Sequence, residues 1–169
     1  MTIPNRNSHK RLIESQVLTN PQIAVLRQLS AEVEAAVRSE EFSRRVEIYR
    51  WNTAHGHCAV ASCAMQILAW VAYSVYLDTY NAVSSTDRNF SHWFVCDPSD
   101  FVRLDPTGYQ FEARENGSVE LNEFYTNAVR RGHPSRRRTA PYYTNSPPVR
   151  YVIDVVSSRL GFADNFRCS

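Results

Sequence analysis

From Gly56 to Leu77 the chain contains no Asp, Glu, Lys or Arg. A run of that length either spans a bilayer or lies buried on most sides at the centre of a folded domain. His57, Ser62, Gln66 and Ser74 and the polar-tipped rings of Trp70, Tyr73 and Tyr76 dilute it, and neither end carries a cluster of positive charge. The run therefore reads as a buried central helix from about Cys58 to Tyr76, and the rest of the fold must be arranged to cover it. A length of 169 residues, 43% hydrophobic and 21% charged, suits one domain with a real core. The net charge of +2 is too small to imply a nucleic-acid or membrane partner by itself. Four cysteines do not make a disulfide scaffold, and Cys58 and Cys63 point to different sides of one helix. The segment Met1–Leu12 has no apolar stretch or small-residue cleavage site, so a reducing, cytoplasmic location is expected.

The remainder divides by pattern. Residues 1–19 are polar and aperiodic, a loose arm. Residues 20–50 form a helical N-terminal extension. Asn20-Pro21 reads as its cap and first turn, Ile23, Leu26, Leu29, Val33 and Val37 as its apolar stripe, and Glu40–Tyr49 as a second helical piece. Residues 51–111 carry the candidate site, and 112–169 complete the domain. Residues 81–89 read as a polar loop, Tyr109–Phe111 as the start of a further element, and 119–130 as a short helix. Arg130–Pro148 reads as an irregular loop, and β-branched Val149–Val156 as a last strand.

Ser91–Cys96 and Phe101–Asp105 are β-prone runs on either side of Asp97-Pro-Ser-Asp100, a hairpin pattern. A loop at 97–100 pairs residues whose numbers sum to 197. Cys96 then faces Phe101, and Trp93, Val95, Val102 and Leu104 form one apolar face. His92 and Asp105 fall opposite each other on the other face, at a Cβ separation of about 5 Å.

A cysteine nucleophile attacks as thiolate, and the first turn of a helix favours that form through its unpaired N–H groups. Cys58, just after Gly56, stands where such a nucleophile should. His92 supplies a base, and Asp105 a group to orient it. An oxyanion hole draws on the Cys58 backbone N–H and the Asn52 side-chain amide, with Gln110 and Trp51 as substitutes. His55 and His57 line the entrance, and His57 and Trp93 are candidate substrate contacts.

His57-Cys58-Ala-Val-Ala-Ser62, then His92-Trp93, then Leu104-Asp105-Pro-Thr107 with Gln110-Phe111, resembles the YunG-like proteins, small bacterial and phage proteins. More distantly, the Cys–His–Asp order is similar to transglutaminases, arylamine acetyltransferases and papain-like peptidases. The papain-like group has an oxyanion-hole Gln six residues before its Cys, where this chain has Asn52. The resemblance covers about residues 51–111. It implies an α+β fold with a papain/transglutaminase-like core, in which a central Cys-bearing helix packs on a small antiparallel sheet. It also implies cysteine-dependent acyl transfer or amide hydrolysis by Cys58, His92 and Asp105. The substrate would bear an amide or ester, as a protein, peptide or anionic carrier, and no cofactor is required.

Other readings use the same residues. A cysteine is most often a buried structural residue, the reading taken for Cys63 and Cys96. His55, His57, Cys58, Cys63, His92 and Cys96 could ligate zinc, but no CxxC or regular Cys/His spacing supports that. Arg136–Arg138, near Arg130 and Arg131, could grip a phosphate or nucleic acid, although a short basic loop is more often simply solvated. A non-catalytic binding protein on the same fold, capturing a phage or bacterial partner, is the alternative class.

Overall fold

A computed structural model of the chain describes residues 16–48, 56–83, 91–99, 101–112, 116–130 and 146–162. Asn52, Trp51, His55, Asp100, Arg136–Arg138, Cys168 and most of the polar arm lie outside the described residues.

The charge-free run forms helix α3, Gly56–Tyr73, and Leu26, Leu29 and Val33 of helix α1 (Asn20–Val37) pack against it. Thr19, one residue before the expected cap, closes the start of α1 in a reciprocal box with Gln22. The short helix α2, Glu40–Ile48, follows and buries Phe42. Ser74, at φ 54, ends α3 in the left-handed region. The arm is not loose where it is described: Gln16 donates to Tyr76 O at 2.9 Å and accepts from Tyr76 N at 2.8 Å.

Four antiparallel strands form one sheet: β1 (Asp78–Val83), β2 (Ser91–Cys96), β3 (Arg103–Leu104) and β4 (Val129–Arg130), in the order β3-β2-β1-β4. β1 replaces the first part of the expected polar loop, because Asn81 and Ala82 belong to a buried strand. Alternation along β2 sends Val95 into the core with α3, and His92, Phe94 and Cys96 to the opposite face. Helix α4, Gly117–Asn127, covers that second face, with Phe124 and Tyr125 against Ala82, Tyr80 and Phe94. A 3-10 turn, Gly108–Phe111, leads toward α4. Gly117 is glycine of necessity, since a Cβ there would lie 1.7 Å from the Phe111 carbonyl oxygen.

The last segment corrects an expectation. Val149–Val156 is not a strand but the centre of helix α5, Pro147–Arg159. Two prolines open it, and Val149, Val152, Ile153 and Val156 recur at helical spacing and are buried against α3 and α1. Burial of that stripe outweighs the modest helix penalty of β-branched side chains. The architecture is thus α+β, a small antiparallel sheet between α4 on one face and α3, backed by α1 and α5, on the other. The N-terminal helices are part of the core rather than an extension of it. Among the described residues, α3 is the one helix long and apolar enough to cross a membrane, and most of it is buried within the protein.

Candidate active site

The expected β2–β3 hairpin forms, but its register differs. Val95 pairs with Leu104 and Cys96 with Arg103, a sum of 199 rather than 197. Asp97 causes the shift. Its backbone N–H donates to Val102 O at 3.1 Å, and its carboxylate accepts from Val102 N at 2.6 Å and from Ser99 N at 3.3 Å. This closes a longer loop and leaves Phe101 at its tip, 90% exposed. The offset is two residues, so every side chain keeps its face. Asp105 now lies beyond the end of β3, and the partner of His92 in the ladder is Ala82 of β1.

His92 and Asp105 meet nonetheless, with Nε2 and Oδ2 2.6 Å apart. β3 pairs with Val95 and Cys96, so among the described residues no ladder occupies that edge of β2 at Ser91–Phe94. The segment after β3 reaches His92 there, and so does the first turn of α3. Cys58 Sγ lies 3.9 Å from the carbonyl oxygen of Ser91, the neighbour of His92 in β2, and the thiol favours the charged form of the His92 ring. With Nε2 turned to Asp105, Nδ1 is the nitrogen left for the thiol. Gly56, with φ 76, brings the backbone into α3, and a Cβ there would stand 3.7 Å from Cys58 Sγ.

Each member is held by packing or hydrogen bonds. The His92 ring meets Phe111 edge-on at 4.9 Å and lies 5.7 Å from Phe124. Asp105 Oδ1 accepts from Thr107 N at 3.1 Å and from Thr107 Oγ1 at 3.2 Å. Oδ2 also accepts from the Tyr125 hydroxyl at 2.8 Å. Burial pulls the His92 imidazole toward its neutral form, but the bonds to Asp105 and then to Cys58 outweigh it and raise its pKa to about 9. Cys63, further along α3, is the contrast: burial pushes its thiol up to about 12. A thiol, an imidazole and a carboxylate in this sequence of contacts can pass a proton from sulfur to nitrogen while the carboxylate balances the imidazolium.

The other candidates fall around this centre. The His57 ring packs edge-on against Phe42 of α2 at 5.1 Å, and burial lowers its pKa. Trp93 lies on the α3 face of the sheet, opposite to His92, with its buried Nε1 unpaired among the described residues. Gln110 lies in the 3-10 turn next to Tyr109, whose ring lies under Arg38 at 4.5 Å. Among the described residues no group of three or more His, Cys, Asp or Glu is placed to hold a metal ion.

Sequence reasoning missed Tyr125 and the Phe111–Phe124 wall. Thr107 carried a signal, since Asp-Pro-Thr is a turn in which the Asp side chain bonds the backbone two residues on. Tyr125 carried none, because only the docking of α4 brings it to Asp105. No protein family, curated protein or solved structure matches the chain.

Proposed function

We propose that this protein is a cysteine-dependent acyltransferase or amide hydrolase with Cys58 as nucleophile, His92 as general base and acid, and Asp105 as the group that orients His92. The supporting observation is the His92 Nε2–Asp105 Oδ2 contact at 2.6 Å, with the Cys58 thiol 3.9 Å from the carbonyl oxygen of Ser91, the neighbour of His92 in β2. Cys58 sits in the first turn of α3, where backbone N–H groups lack intrahelical acceptors and favour an anion.

In this reading His92 takes the thiol proton, and Sγ adds to the carbonyl carbon of an amide or ester. The Cys58 N–H, in the first turn of α3, then donates to the oxyanion that forms. The C–N or C–O bond then breaks, His92 returns its proton to the departing amine or alcohol, and a thioester remains on Cys58. Water or an amine resolves it, giving hydrolysis or transfer. Peptidase, amidase, deamidase and acyltransferase all share these steps. The YunG-like resemblance and the papain/transglutaminase-like core belong to the same proposal. They are supported by the order of the three residues and by a Cys-bearing helix packed on an antiparallel sheet.

The test is the pH dependence of Cys58 alkylation, followed by mass spectrometry in the native protein and in His92→Ala. Alkylation that stays fast well below the free-thiol range of about 8.5, and slows at least tenfold in the variant, supports the enzyme. One observation favours the alternative of a non-catalytic binding protein: Cys58 is only 4% exposed. A thiol equally inert in both proteins would defeat the enzyme reading, and an inert thiol together with tight partner capture would favour that alternative.

A further inference from the structure

Asp105 is held by more bonds than orienting an imidazole requires. Thr107 ties Oδ1 twice from the same turn, which fixes the carboxylate plane without help from elsewhere. The Tyr125 hydroxyl adds its bond, at 2.8 Å, to Oδ2, the oxygen that faces His92 Nε2 at 2.6 Å. Two donors on one carboxylate oxygen draw on the same charge, so each weakens what the other receives. Burial and the neighbouring Asp105 push the Tyr125 hydroxyl well above its ordinary range, which keeps it protonated and a donor.

The surroundings of this pair are largely apolar. Phe94 packs edge-on against Tyr125 at 5.0 Å, and Tyr80 of β1 stacks on Phe94. Among the described residues, the charged and titratable groups that face Tyr125 and His92 are Arg103 of β3, with its guanidinium 4.0 Å over the Tyr125 ring, Cys96 of β2, Cys58 of α3 and Asp105 itself. We infer that Tyr125 is a positioning residue that acts through Asp105 to limit the basicity of His92, taking part of the Oδ2 charge so that the imidazolium can release its proton. The inference rests on the thiol-enzyme reading of this site and adds a residue 20 positions from Asp105 on a different element.

Its test is the titration of the His92 imidazole by NMR, with the pH profile of Cys58 alkylation alongside. The proteins compared are the native chain, Tyr125→Phe, and a chain with 3-fluorotyrosine in place of Tyr125. Phenylalanine keeps the ring contacts with Phe94 and Arg103 and removes only the donor. The His92 midpoint should then rise by roughly half to one pH unit, and the stronger fluorinated donor should lower it. A merely structural role would loosen the fold without moving the two midpoints in opposite directions. An unchanged or lowered midpoint in Tyr125→Phe overturns the inference. Should that variant fail to fold, a fluorinated chain with an unchanged midpoint overturns it equally. Alkylation that is indifferent to His92→Ala defeats the thiol-enzyme reading whatever Tyr125 does. His92-dependent alkylation with a fixed midpoint defeats only the role of Tyr125.

Discussion

Replacing Asp105 by Asn keeps the shape of the side chain and removes its charge, and the cost should depend on pH in a defined way. His92 has a pKa of about 9 in the folded chain against an ordinary 6.5, so the folded state binds its proton more tightly. The stability that results is fully present below about pH 6.5 and is lost as pH rises through about 9. At ~1.4 kcal/mol per pH unit the whole interval corresponds to about 3 kcal/mol. Asp105 is the first of the attractive causes, ahead of Cys58, so removing its charge should remove most of that pH-dependent stability. Urea unfolding from pH 5.5 to 9.5, with both proteins in a Cys58→Ser background to keep thiol ionisation out, measures it directly. The deficit of Asp105→Asn should be largest near pH 6 and shrink steadily toward pH 9.5. A deficit that stays flat would mean that His92 is neutral throughout and that Asp105 merely accepts its N–H. A deficit that grows with pH would refute the electrostatic argument altogether.

Other substitutions probe separate features. Gly117→Ala places a Cβ 1.7 Å from Phe111 O and must push α4 or the 3-10 turn aside, at a cost of about 3 kcal/mol by urea unfolding. It should also change the ring-current shift of His92, because Phe111 moves with that turn. The Ser62 hydroxyl is buried in α3 without a partner among the described residues, so Ser62→Ala should raise stability by about 1 kcal/mol, and a loss of that size would show the hydroxyl to be engaged. Phe101→Ser should change stability by less than about 0.5 kcal/mol, because Phe101 stands exposed at the loop tip; a 197 register would instead set it against buried Cys96.

The parts of the fold that depend on local pattern were legible in the sequence. The run from Gly56, the stripe Leu26-Leu29-Val33 and the two apolar runs around Asp97-Pro98 each announce their element through composition or period. β1 was hidden because Asp78, Thr79 and Asn81 are polar yet buried, paired with β2 rather than exposed. α5 was misread because β-branched content suggested a strand while the spacing of Val149, Val152, Ile153 and Val156 was already helical. At the candidate site, His92 and Asp105 came together although the ladder expected to pair them had a different register. Parity of the offset preserved the face, and the Asp105 side chain spanned the rest. Tyr125 depended on how α4 docks, which no local signal encodes.

The charge-free character of α3 bears on how the chain is made as well as on how it packs. During synthesis α1 leaves the ribosome first, so Leu26, Leu29 and Val33 are available to cover one side of α3 as it appears. The strands emerge soon afterwards and can cover a second side. α5 arrives last, and until Val149, Val152 and Val156 dock, a helix with the length and apolar character of a membrane span keeps one flank open. Until α5 docks, that open flank is the apolar surface of α3 most exposed to unwanted contacts, so a chain lacking α5 should aggregate more readily than the native one.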